Sequence, residues 1–160
     1  KSPYRMNTAG LYSTDIAILR TLQENARLSN KEIAGIVHLS STPVYERIRR
    51  LEQKGYINKY MAVLDAERLG CGFVVFCSVK LNCLTKKTAD EFAQLVREMP
   101  EVTECYNISG SFDFLLKIHA RDMASYREFV LWRLTQIPHI GSLESTFVME
   151  EIKHDHGIIL

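Results

Sequence analysis

Apolar residues recur at helical spacing three times in the first third of the chain. Over residues 13–25, Ile16, Leu19 and Leu22 form one such stripe, with Ser13 or Thr14 placed to cap the helix start. Ser29 to Glu32 reads as a capping box: the serine accepts from the amide three residues on and the glutamate reaches back. Ile33, Ala34 and Val37 follow as a buried face, and His38-Leu39-Ser40 breaks the pattern. A third helix opens with Ser40 as cap and Pro43 in its first turn, where a missing N–H costs nothing. Val44, Ile48 and Leu51 line its inner side, and Gly55 stops it. Helices this short are not stable alone, so their stripes must pack on one another, and a tight turn between the last two is the helix-turn-helix pattern. Residues 56–64 read as an extended segment in the position a wing occupies, and Asp65 to Gly72 as a hinge, with Gly70 and Gly72 framing Cys71.

The period then changes. Phe73–Leu81 is a strand whose odd positions are all apolar, while its even positions run from Val74 and Phe76 to Ser78 and Lys80. Thr88 to Met99 is a helix ended by Pro100. Strands follow at Val102–Ser109 and Phe112–Ala120, joined at Gly110-Ser111. A second helix runs from its cap Asp122 through Ile137, and a last strand is expected over Thr146–Ile152. The chain is therefore read as α+β: a winged helix-turn-helix over residues 9–62, a linker over 63–70, and a ferredoxin-like β-α-β-β-α-β domain over 71–155. Such a sheet carries helices on one face, so the other face needs a partner or stays wet.

Composition narrows the class. With 46% hydrophobic and 24% charged residues the chain is an ordinary globular one. No apolar run approaches the ~18 residues of a membrane span. Residues 1–11 hold no apolar core of the signal-peptide kind, and the cytoplasmic expectation comes from the cysteines, read as reduced. The net charge of +1 conceals an asymmetry: residues 1–60 hold ten Lys/Arg against five Asp/Glu, and residues 61–160 hold ten against fourteen. Only the first part is suited to a polyanion. Cys71, Cys77, Cys83 and Cys105 form no C-x-x-C pair; Cys71 and Cys77, in an apolar run, are read as reduced core residues.

The third helix carries the clearest chemistry. Opposite its apolar stripe stand Ser41, Thr42, Tyr45, Arg49 and Glu52, flanked by Ser40, Arg47, Arg50 and Lys54. The major groove admits one helix, whose N-terminal residues reach base edges; Arg reads guanine bidentately, while Arg50, Lys54 and Lys59 suit phosphates. An enzyme has little support, because His38, His119, His139, His154 and His156 are scattered and no nucleophile motif is present. His154-Asp155-His156 is read as a polar tail in preference to a metal site, and no cofactor is expected. At the Gly110 turn, exposed amides beside the Asp113 carboxylate are what an amino acid requires. A plain hairpin explains the same residues.

Taken in order, these segments resemble the Lrp/AsnC (feast/famine) regulators over nearly the whole chain. The matching stretches are Asp15–Leu19, Ala26–Ala34, Leu39–Glu52, Gly55-Tyr56-Ile57, Pro100-Glu101-Val102, Gly110–Asp113, and Thr146-Phe147-Val148 through Ile152-Lys153. The resemblance implies a transcription regulator that binds double-stranded DNA and assembles as a homodimer, commonly onward to an octamer, in the cytoplasm at the nucleoid. It also implies an amino-acid effector near the Gly-x-aromatic-Asp turn. That makes Gly110, Phe112 and Asp113, with Ile108, Ser109, Ser111 and Thr146 as neighbours, the expected ligand site. Phe112 stands where a tyrosine is usual. The alternative is an architectural protein that wraps DNA with weak sequence preference and no effector.

Overall fold

A computed structural model describes residues 10–160; the expected domain start at residue 9 lies outside them. The elements are α1 (Ser13–Glu24), α2 (Asn30–Val37), α3 (Ser41–Gln53), β1 (Phe73–Leu81), α4 (Lys86–Arg97), β2 (Val102–Asn107), β3 (Phe114–Ala120), α5 (Met123–Trp132) and β4 (Ile140–Phe147). The chain divides into two compact units. One runs through Ala62 and takes in Lys153–Leu160; the other is Val63–Ile152.

The first unit is built by helix ends as much as by its core. The α2 capping box forms as expected: Glu32 N–H donates to Ser29 Oγ at 3.3 Å, and Ser29 N–H to Glu32 Oε2 at 2.7 Å. His38 ends α2 in the left-handed region, with φ 56°, and the Leu39 amide turns back to the Ala34 carbonyl at 3.0 Å. This is the tight turn of the helix-turn-helix. Gly55, φ 74°, ends α3: its amide donates to Glu52 O at 3.0 Å, and the Tyr56 amide to Leu51 O at 2.9 Å. That paired closure is a Schellman motif. Between the helices Ile18, Ile33, Ala34, Val44 and Leu51 are buried, with Leu19, Leu22, Leu28 and Ile48 packed around them. Lys153–Leu160 lies along α1: the Gln23 side chain donates to Ile158 O at 2.8 Å and accepts from Ile158 N–H at 3.1 Å.

The second unit is a four-stranded antiparallel sheet, order β2-β3-β1-β4, with α4 and α5 on one face, the expected ferredoxin-like arrangement. Val75, Cys77, Val79 and Leu81 of β1 lie beside Phe114, Leu116 and Ile118 of β3 and pack on Phe92, Val96, Tyr126 and Phe129. The Phe92 and Phe114 rings stand 4.4 Å apart. Thr85 caps α4 and Asp122 caps α5, the latter accepting from Ser125 N–H at 2.7 Å. The alternate positions Val74, Phe76 and Leu115 are only half-buried, on the face without helices.

Several expectations are corrected. Neither Ser13 nor Thr14 caps α1; Tyr12 is the cap residue, and its amide donates to Asp15 Oδ2 at 3.0 Å. Residues 56–64, expected as an extended segment, carry neither helix nor ladder pairing among the described residues, since extended backbone becomes a strand only with a partner. β3 begins at Phe114 and not Phe112. The helix expected to reach Ile137 ends at Trp132, followed by a 3₁₀ turn at Leu134–Gln136. The last strand is Ile140–Phe147, not Thr146–Ile152. Leu81 pairs with Ile140 and Val75 with Phe147, so the strand must start at 140 to run along β1. As an edge strand it lacks a strong alternating pattern, and Met149 and Ile152, within the span expected for it, are almost fully exposed. Of the cysteines only Cys77 is core; Cys71, Cys83 and Cys105 are exposed, and all four are free thiols. No helix among the described residues is long and apolar enough to cross a membrane.

Leu51 closes the first core at 0% exposure. Leu51→Ala is expected to destabilise the protein by about 2–5 kcal/mol, read as a lowered urea midpoint of the helical signal.

Candidate functional site

The expected nucleic-acid residues lie on α3 and at its two caps, but not on a single face of it. Ser40, Ser41, Thr42, Tyr45, Arg49 and Lys54 are all exposed. Arg49 forms no ion pair among the described residues. Together with Tyr45, Ile48, Glu52 and Tyr60 it borders a shallow cleft of about 260 Å³ that reaches Leu22 and Leu28. The Tyr60 hydroxyl donates to Glu52 Oε1 at 2.9 Å; burial first, and that carboxylate second, push its phenol up to about 12. This bond ties the chain leaving α3 back onto the helix.

Arg47 and Arg50 differ from Arg49. Arg47 Nη1 donates to Asp15 Oδ1 at 2.8 Å and Arg50 Nη2 to Asp15 Oδ2 at 2.8 Å. Asp15 is fully buried, while the two arginine side chains keep 28% and 38% exposure. The Tyr12 ring lies under both guanidinium groups, 5.6 and 5.7 Å from its centroid. Burial alone would raise the Asp15 carboxyl, but the Tyr12 amide and the two arginines outweigh it and hold it below the ordinary value. Two of the expected DNA-facing arginines thus also fasten α3 to α1. Asp15 and Tyr12 were not singled out from the sequence. The signal was present: Asp15 stands three residues before Ile18 and seven before Leu22, on the apolar stripe, where a charge needs a partner.

In the second unit, the loop between β2 and β3 brings Ile108, Ser109, Gly110, Ser111, Phe112 and Asp113 together. Gly110 takes φ 123°, a conformation side chains rarely adopt. The loop is closed by the Ile108 amide and the Asn107 side chain, which donate to Asp113 O at 2.9 and 2.8 Å. The amides of Ser109, Gly110, Ser111 and Phe112 donate to no protein acceptor among the described residues. They are available to an anion.

Asp113 is not the free carboxylate that the sequence suggested. Its Oδ2 accepts from the Leu81 amide at 2.8 Å and its Oδ1 from Lys80 Nζ at 2.9 Å, while its own amide donates to Val79 O at 2.9 Å. It is buried, and these contacts pin the loop to the end of β1. The Leu81 amide first, then Lys80, hold its carboxyl below the ordinary value. Thr146 is not part of this cluster. It pairs with Phe76, four residues along β1 from Lys80, or ~13 Å at strand rise, and stands on the far side of β1 from β3. No group of three or more His, Cys, Asp or Glu residues able to hold a metal ion occurs among the described residues.

Known proteins bear on both halves. Residues 13–58 match the family described as winged helix-turn-helix DNA-binding, and residues 74–158 the Lrp/AsnC ligand binding domain. The proline dehydrogenase transcriptional activator of Rhodobacter capsulatus is 43% identical over 140 residues, covering 88% of this chain and 91% of its own. The leucine-responsive regulatory protein of Escherichia coli K12 is 36% identical over 146 residues, covering 91% and 89%. Among solved structures, a Neisseria meningitidis transcriptional regulator in complex with L-Met superposes with TM-score 0.88 at 37% identity, covering 93% of this chain and 96% of that one.

Because Asp113 is depressed when folded, its contribution to stability is complete above its ordinary value of 3.8 and is lost as pH falls below it. Melting temperature measured against pH is expected to fall more steeply below that value for the wild type than for Asp113→Asn. Parallel acid limbs would show that the ionisation of Asp113 adds nothing to stability.

Proposed function

The chain belongs to the Lrp/AsnC family of effector-responsive, DNA-binding transcription regulators, and from that premise we propose that it reads a specific operator through α3 and answers to a free amino acid. It is not an enzyme. Ser40, Ser41, Thr42, Tyr45 and Arg49 supply the base-facing surface, with Arg47, Arg50 and Lys54 toward phosphates. The proposed site of action is the cytoplasm, at the nucleoid, where the DNA is.

The observation that carries the effector reading is the β2–β3 loop. Four unengaged amides lie next to a buried carboxylate already carrying a cation. An α-carboxylate fits the amides and an α-ammonium fits Asp113, in competition with Lys80. The L-Met complex of the Neisseria regulator supports an amino acid as the class of ligand. Phe112, half-buried beside Gly110, offers an apolar contact without a hydroxyl. Ile108, Ser109 and Ser111 complete the loop, and Thr146 joins such a site only from another copy of the chain. The face of the sheet without helices, with half-buried Val74, Phe76 and Leu115 and exposed Tyr106, is the surface proposed for the homodimer, and further association to an octamer would bring loops of different dimers together.

Ligand binding to the folded protein raises its melting temperature by mass action. A thermal-shift screen against the proteinogenic amino acids is expected to give a hit that Asp113→Asn, which keeps an oxygen for the Leu81 amide, abolishes. A hit that survives would remove Asp113 from the site. Arg49→Ala is expected to cost about tenfold in affinity for a duplex selected from a random-sequence pool, with oligomer size unchanged. Equal binding to selected and scrambled duplexes would instead make the chain an architectural DNA-wrapping protein.

A further inference from the structure

The Asp15 cluster has more in it than a helix-to-helix tie. A guanidinium group carries five N–H donors, and each arginine here spends one on Asp15. The remaining donors belong to side chains that keep 28% and 38% exposure. The Tyr12 ring beneath both groups limits where the guanidinium planes can turn. The carboxylate itself is fully buried and accepts from the Tyr12 amide and the two arginines, all within this cluster. Two cations held by one anion leave a single net positive charge with its donors fixed in direction.

We propose that Asp15 is a positioning residue for operator recognition: it presents Arg47 and Arg50 as one preordered clamp for a single DNA backbone phosphate, and so fixes the register of α3. The inference rests on the reading that α3 is the recognition helix. One phosphate oxygen set can accept from both guanidinium groups without either leaving Asp15. Ordering the side chains before binding removes entropy that two free arginines would lose on contact. The buried carboxylate also lowers the attraction for any phosphate that arrives in another geometry, which favours the correct register over the rest. Asp15 therefore raises discrimination while lowering indiscriminate affinity. A residue that merely held the helices together would change both alike.

The test measures affinity for a duplex selected by the wild-type chain from a random-sequence pool and for its scrambled counterpart, across a salt series. Asp15→Asn is expected to lower the selected-to-scrambled affinity ratio roughly tenfold, with scrambled binding unchanged or stronger. The slope of log affinity against log salt should steepen by about one, as released charge meets additional phosphate. A parallel loss on both duplexes with an unchanged slope would overturn the proposal and leave Asp15 a structural tie. Should Asp15→Asn fail to fold, Arg47→Lys carries the test, since it keeps the ion pair but replaces the planar fork by a point charge. The ratio should then fall with the slope unchanged; an unaltered ratio would overturn the proposal. A wild-type chain that cannot discriminate the two duplexes would sink the recognition reading itself, an outcome distinct from either.

Discussion

A carboxylate taken out of water stays charged only where cations or N–H groups meet it, and in each unit of this chain one buried aspartate sets the geometry of the functional side chains. Asp15 joins α1 to α3 through Arg47 and Arg50; Asp113 joins the β2–β3 loop to β1 through Lys80 and the Leu81 amide. Both sit in hydrogen-bond sets that outweigh the cost of burial, and both are held in their ionised form. Hydrophobic packing alone would leave α3 free to rotate on its stripe and the loop free to fray. The ion pairs set direction where the apolar contacts set only proximity.

This explains what was legible in the sequence and what was not. Helix existence, the Ser29 capping box, the Gly55 stop and the order of the second domain follow from local rules, since capping and periodicity are written in neighbouring residues. β4 starts six residues before the sequence pattern places it, because an edge strand carries no clean alternation and only its pairing along β1 defines it. The extended segment at 56–64 is not paired into a strand for a related reason, since strand structure depends on a partner that the pattern cannot reveal. Likewise the sequence offers Asp113 as a carboxylate but cannot show that Lys80, thirty-three positions away, already occupies it. The Gly110 turn is legible because only its backbone conformation is needed to predict it, while Thr146, joined to it by the resemblance alone, lies elsewhere on the same sheet.

The charge of the DNA-binding unit has to be recounted in the same light. The surplus of five positive charges over residues 1–60 suggests strong attraction to a polyanion. Arg47 and Arg50 are not free cations, however, because Asp15 offsets one of them and directs both. Arg49 and Lys54 remain exposed without an ion pair among the described residues. The surplus already counts Asp15, and Arg27, Lys31 and Lys59 are likewise exposed without an ion pair among the described residues. Long-range steering therefore keeps several mobile cations, while Arg47 and Arg50 add charges already oriented. In the proposed mode of action that division favours a protein whose mobile cations draw it to DNA and which stops where the phosphate spacing matches its clamp. An architectural wrapper has the opposite requirement, a broad field of mobile cations that accept any phosphate. The buried Asp15 works against that requirement, which is the physical reason for preferring sequence-specific regulation to indiscriminate wrapping.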